Sequence, residues 1–289
     1  RNTYGGTYRM AMNVLSRQGI NFEWIDTRDP QNIKNRIKKN TKLVHVESPT
    51  NPLLELCDIE ATSKICKSQN VLLSVDNTFM SPYGQRPLEL GADISMQSST
   101  KSLSGHSDVL GGVLTTNDNE LHERLQFMLK ATGGVPSPFD NWITLRSTKT
   151  LALRYQKATE NAYELANWLS SQKNIKKTIY PGLKSHPQYA IAKKQQLSPK
   201  GEVVFGAMLS IDVGDVKSRD KFLKKIEIFQ LAESLGSVES LVCIPYFMTH
   251  AAVPDETKLE MGITESLIRL SIGIEDIDDL RSDLSRALF

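Results

Sequence analysis

The sequence predicts an α/β fold: a mainly parallel sheet followed by a smaller α+β unit. Three observations point there. The first half alternates short apolar runs with amphipathic stretches, the pattern of βαβ units. Polar and reactive residues collect where those runs stop, which is the ligand-binding edge of an open parallel sheet. The second half interleaves shorter apolar runs with helical stretches behind one long helical pattern.

The apolar runs of the first half are Leu43-Val44-His45-Val46, Val71-Leu72-Leu73-Ser74-Val75, Ile94-Ser95-Met96 and Val109 to Leu114. They end at Glu47-Ser48-Pro49, Asp76-Asn77, Ser98-Ser99-Thr100-Lys101 and Thr115-Thr116-Asn117-Asp118. Between the first two lies a helical stretch over 58–67, with Asp58 at the N-cap. After the loop Val135-Pro136-Ser137-Pro138, a pattern of Leu151, Leu153, Ala158, Ala162, Leu165, Ala166 and Leu169 predicts a long helix over 148–171. It divides the chain into 1–147 and 148–289. Strands over 175–180, 203–211 and 267–274 and helices near 217–226 and 276–288 complete the second part. There is no internal repeat or low-complexity tract.

Composition excludes several classes. Of 289 residues, 39% are hydrophobic and 24% charged, with 17 glycines and 12 prolines, which is globular rather than collagen-like, coiled-coil or disordered. Thirty-five basic residues against 33 acidic ones leave a charge of +2, too small a field to point to nucleic acid or an anionic membrane. Mean hydropathy is −0.31, and no apolar run approaches a membrane span. Cys57, Cys66 and Cys243 are odd in number and lack CxxC spacing, so neither a disulfide framework nor a zinc site is indicated, and a reducing, cytoplasmic compartment is expected. The opening Arg1-Asn2-Thr3, without initiator Met or signal peptide, predicts a start inside a longer parent.

The strongest chemical signal is Ser98-Ser99-Thr100-Lys101-Ser102-Leu103-Ser104-Gly105-His106, directly after an apolar strand. A nucleophilic lysine must be neutral part of the time, which burial or a neighbouring cation brings about, and hydroxyls beside it can donate to a phosphate. Such a set suits a pyridoxal-phosphate Schiff base; on spacing alone a solvated Ser/Lys loop is the favoured reading. Asp76 closes a strand twenty-five residues earlier, where a carboxylate can pair with a pyridinium nitrogen or merely cap the next segment. Tyr4-Gly5-Gly6-Thr7 places an aromatic ring beside glycines, for stacking or for a turn. Arg269, between apolar neighbours in a strand, needs a partner: a substrate carboxylate or a structural ion pair.

The remaining candidates read as structural. The five histidines (His45, His106, His122, His186, His250) show no metal-ligand spacing, so no metal is expected. Met96, Met208 and Met248 read as packing, the cysteines as buried thiols, and Lys34, Arg36, Lys38 and Lys39 as a solvated helix face.

Taken together, the motifs resemble the Cys/Met-metabolism family of pyridoxal-phosphate enzymes, which holds cystathionine γ-lyase, γ-synthase and β-lyase. The resemblance runs through Tyr4-Gly5-Gly6-Thr7, Glu47-Ser48-Pro49-Thr50-Asn51-Pro52, Val75-Asp76-Asn77-Thr78-Phe79, Ser98-Ser99-Thr100-Lys101 with Gly105-His106-Ser107-Asp108, and Tyr180-Pro181-Gly182-Leu183. It continues in Leu231-Ala232-Glu233-Ser234-Leu235-Gly236, Met248-Thr249-His250 and Leu267-Ile268-Arg269-Leu270-Ser271-Ile272-Gly273-Ile274-Glu275-Asp276.

The resemblance implies a fold-type I (aspartate aminotransferase-like) architecture, with a pyridoxal-phosphate-binding large domain in 1–147 and a linking helix and small domain in 148–289. It implies pyridoxal 5'-phosphate as cofactor, with Lys101 as Schiff-base lysine and proton carrier. Asp76 is then the pyridinium partner and Tyr4 the stacking tyrosine that assists proton transfer. Ser98 and Thr100 become phosphate ligands, with Glu47 and Thr78 in motifs near the ring. Asn51 and Arg269 hold the substrate carboxylate, with Ser234 close by and Glu233 facing the distal end. The implied reaction is cleavage of the Cγ–S bond of L-cystathionine; β-lyase and γ-synthase are the rivals. A methionine γ-lyase fits less well, because Gly6 stands where those enzymes usually carry cysteine. A decayed paralogue acting as a binding module is a rival outside enzymology, opposed by the presence of Lys101, Asp76, Tyr4 and Arg269 together. A nucleotide-binding α/β protein would need GxGxxG or a Walker lysine, and neither occurs.

The resemblance also implies a homotetramer with active sites shared between subunits. Family members carry a further segment before the Tyr-Gly-Gly motif, with a phosphate cradle and an arm reaching the neighbouring subunit. None of it lies in these 289 residues, so the expectation is either a longer parent or a truncated form with an incomplete cofactor site.

Overall fold

The structure, a computed structural model, describes residues 3–251 and 253–289. Two sheets carry it. The first has the order β1 (Leu43–Glu47), β2 (Leu72–Asp76), β3 (Ile94–Ser98), β4 (Gly112–Thr115). β1 and β3 run parallel to β2, whereas β4 is antiparallel to β3. The apolar run at 109–114 thus forms a strand only from Gly112 and closes the sheet in the opposite direction. The connection from β3 holds the Lys101 turn instead of the crossover helix that a parallel strand needs.

The second sheet has the order β5 (Lys177–Ile179), β6 (Met208–Asp212), β9 (Leu267–Ser271), β8 (Leu241–Cys243), β7 (Gln230–Leu231). Its pairs are antiparallel except β7 with β8. The strand expected over 203–211 starts only at Met208, because Gly206 sits at φ +86 and breaks the extended run. β7 and β8 are too short to leave a period-2 signal.

Helix Ile59–Ser68 begins as expected at Asp58, whose carboxylate accepts from Ala61 N at 2.9 Å. The long helix runs Leu151–Ser170, and helices Val216–Lys225 and Ile277–Leu288 start at the caps Asp215 and Asp276. The helices that escaped the pattern include Gly5–Asn13, Tyr189–Gln195 and Asp255–Met261, all short, and the longer Asn119–Thr132 and Pro138–Thr148. In those two longer helices the period fails for a visible reason. Their apolar residues, Phe127, Phe139, Trp142 and Leu145 among them, are exposed and make no buried stripe.

Leu165 and Leu169 of the long helix pack with Leu209, Ile211, Ile268 and Leu270 from β6 and β9, and with Leu280 and Leu284 of the last helix. Each such side chain contributes roughly 1.5–3 kcal/mol by leaving water. A smaller cluster joins the two halves of the sequence: Leu53 and Leu54 pack with Ile179, Met208 and Leu267. The loop after β1 is therefore anchored in the second sheet. No helix among the described residues is long and apolar enough to cross a membrane.

Candidate active site

Lys101 lies where β3 stops, in a short helical turn spanning Ser99–Leu103 that is kinked at Lys101 itself (φ −93, ψ −136). Two supports hold this turn. Arg154 of the long helix donates to Ser102 O at 2.9 Å and to Leu103 O at 3.2 Å. On the other side Gly236, at φ +78, approaches so closely that a Cβ there would stand 3.0 Å from Ser102 N and 3.3 Å from the Lys101 Cβ. The Lys101 Nζ donates to Ser234 Oγ at 3.3 Å. Burial, and then the Arg269 cation, hold this amine below the usual lysine range, with Glu233 pulling weakly the other way.

Asp76 ends β2, buried, and its Oδ1 accepts from Thr78 N at 2.9 Å. Its Oδ2 meets no hydrogen-bond donor among the described residues. Directly opposite in register is Glu47, the last residue of β1. Its Oε2 accepts from Tyr4 N at 2.8 Å and its Oε1 from Asn51 N at 3.0 Å. Burial and the Asp76 charge push the Glu47 carboxyl up to about 8, against the pull of those two donors. Tyr4 is 54% exposed, and its ring folds over Gly6, where a Cβ would lie 2.4 Å from the Tyr4 Cε1.

The hydroxyls beside the lysine are differently engaged. Thr78 Oγ1 accepts from Ser98 N at 2.9 Å, binding β2 to β3 at their ends. Thr100 Oγ1 accepts from Gly111 N at 3.0 Å and donates to Gly111 O at 3.4 Å. The Ser98 hydroxyl takes no partner among the described residues, so it is the freer donor of the two.

Arg269, in the middle of β9, is 1% exposed. Its Nη2 donates to Glu233 O and Ser234 O, both at 2.8 Å, and its Nη1 to Asn51 Oδ1 at 3.3 Å. Its Nε is buried without a partner among the described residues, a donor that suits an acceptor from a ligand. Glu233 is exposed, and its carboxylate favours the charged forms of both Lys101 and Arg269.

The structure brings Lys101, Ser234, Arg269, Asn51 and Glu233 into one continuous set, and Asp76, Glu47, Tyr4, Thr78 and Ser98 into a second along the sheet edge. Glu47 and Asn51 join the two. Sequence reasoning missed Arg154, because an arginine at a helix start reads as solvated until its carbonyl partners are known. It also left His250 as an ordinary hydrogen bonder. His250 pairs with Thr249 Oγ1 at 2.9 Å, and its buried Nε2 has no partner among the described residues. Cys57 and Cys66 are buried thiols, pushed up to about 12 and about 11 by burial, as expected of unreactive groups.

Comparison with known proteins gives the same direction. The chain matches, over residues 1–289, the family described as Cys/Met metabolism PLP-dependent enzyme. It is 46% identical over 287 residues to the cystathionine gamma-lyase of Bacillus subtilis, covering 99% of this chain and 74% of that protein. It is 45% identical over 290 residues to the cystathionine beta-lyase of Coxiella burnetii, covering 99% and 73%. The crystal structure of cystathionine gamma-lyase from Lactobacillus plantarum complexed with L-serine superposes with a TM-score of 0.94 at 41% identity, covering 99% of this chain and 74% of that one.

Proposed function

Because the chain belongs to the Cys/Met metabolism family of PLP-dependent enzymes, we propose that it is a transsulfuration lyase that cleaves the Cγ–S bond of L-cystathionine. Water is consumed, and cysteine, 2-oxobutanoate and ammonia are released. The observation that carries this reading is the meeting at Ser234: its hydroxyl accepts from the Lys101 amine at 3.3 Å, and its carbonyl accepts from Arg269 at 2.8 Å. A proton-carrying amine and a carboxylate-binding guanidinium that share one neighbour match the α-carbon and α-carboxylate of one amino acid.

The residues present fit pyridoxal phosphate. Among the described residues, Asp76 offers a buried carboxylate whose Oδ2 meets no donor and so suits a ring N–H, Ser98 a hydroxyl without a partner for a phosphate, and Arg269 an unpartnered Nε for the substrate carboxylate. When bound, the cofactor supplies the electron sink that lets protons leave Cα and Cβ. The chain does the rest. Lys101, its pKa lowered by burial and Arg269, takes and returns those protons, since each one removed must later be given back. Asn51 and Arg269 orient the carboxylate, Tyr4 stacks on the ring and assists proton transfer, and Thr78 ties the strand ends on which Asp76 and Ser98 stand. Glu233, exposed beside this set, pairs with the distal amine of cystathionine.

A second reading is β-lyase cleavage at Cβ–S. The comparable identity to proteins named cystathionine beta-lyase supports it. Assembly with further copies of the chain fits the exposed apolar side chains of Leu110, Phe127, Phe139, Trp142 and Leu145. The direct test of the site is Lys101→Ala with borohydride. The protein should gain the mass of reduced cofactor on the peptide holding Lys101, whereas the variant should gain none and lose all turnover while keeping its Tm. Appreciable lyase activity in the variant would overturn the assignment.

A further inference from the structure

One buried carboxylate of the sheet-edge set also reaches the other set. Glu47 is 8% exposed at the end of β1, and its two oxygens accept from main-chain donors on separate segments, Tyr4 N at 2.8 Å and Asn51 N at 3.0 Å. The Tyr4 side opens helix Gly5–Asn13, whose first N–H groups lack intrahelical partners and favour a carboxylate nearby. On the Asn51 side the loop is tied to the second sheet, with Ser210 Oγ donating to Pro52 O at 2.8 Å, and the Asn51 amide oxygen accepts from the Arg269 guanidinium. Glu47 itself is fixed beside Asp76 by strand register.

We infer that Glu47 is a positioning residue that couples the aromatic platform over the cofactor ring to the carboxylate clamp for the substrate. The inference rests on the reading of the site given above. Ionised, above about pH 8, the Glu47 carboxylate can accept at both ends. Glutamine has the same size but presents an NH2 to one of the two N–H donors, so at least one main chain is released. Because both donors share one side chain, freeing one disturbs the other, and filling either half orders both.

The test uses hydrogen–deuterium exchange on the cofactor-free protein at pH 9, above the Glu47 value of about 8. In Glu47→Gln, peptides covering 4–10 and 49–54 should both exchange about tenfold faster than in the parent protein, with peptides of Leu267–Ser271 unchanged. Pyridoxal-phosphate titration should give a Kd raised about tenfold, and KM for cystathionine should rise with it, while kcat at saturation changes less than threefold. Exchange unchanged in both peptides, or raised in one alone, would overturn the coupling. If Glu47→Gln fails to fold, Glu47→Asp, which keeps two acceptors but retracts them, should raise exchange in both peptides by a smaller factor; no change there would equally overturn it. Faster exchange in both peptides from a protein that does not cleave cystathionine would leave the coupling intact and sink the reaction instead.

Discussion

Arg269 Nη1 donates to the amide oxygen of Asn51 at 3.3 Å, across 218 residues of sequence. The fold makes this pair: Leu53 and Leu54 draw the Asn51 loop into the core under the second sheet, on which Arg269 is central. The guanidinium is already oriented by the carbonyls of Glu233 and Ser234, which leaves Nε for a ligand.

Arg269→Lys should raise KM for cystathionine by roughly ten- to a hundredfold, since charged hydrogen bonds of this kind are worth about 1.5–3 kcal/mol and a point charge cannot replace the fork. Steady-state kinetics with cystathionine, beside cofactor titration, check this. An unchanged KM would remove Arg269 from carboxylate binding.

Glu233→Ala tests which end of cystathionine faces the lysine. Loss of the carboxylate should raise the ratio of β to γ products and weaken cystathionine more than substrates without a distal amine, again by roughly tenfold or more. An unchanged product ratio with an unchanged substrate ranking would leave Glu233 as an exposed charge.

His250 gives the protein an acid-sensitive element. Burial, with Arg269 and Lys258 nearby, holds its imidazole down to about 4 from an ordinary value of 6.5. Between those values the unfolded chain binds the proton and the folded chain does not. Stability therefore falls as pH drops from 6.5 toward 4, by up to about 3 kcal/mol for this group. His250→Asn should flatten the decline of Tm over that window, and an equally steep decline in the variant would contradict the assignment.

The chemistry was more legible than its geometry. Lys101, Asp76 and Arg269 stand out because a charged residue closing or interrupting an apolar run demands a reason. Asp58 announced its helix because a cap acts locally. The direction of β4 did not announce itself, since an apolar run carries no sign of which neighbour it will pair with. Glu47 and Arg154 gain their meaning only from partners far along the chain: Glu47 from Tyr4, 43 residues away, and Arg154 from Ser102, 52 residues away. No local pattern encodes such distances. Helices Asn119–Thr132 and Pro138–Thr148 lack a buried face, so the periodicity that reveals other helices is missing.

The bond that is broken is the central claim, and product analysis tests it most directly. Purified protein supplied with pyridoxal phosphate and L-cystathionine is predicted to release cysteine and 2-oxobutanoate in equal amounts. Homocysteine and pyruvate as the main products would contradict it.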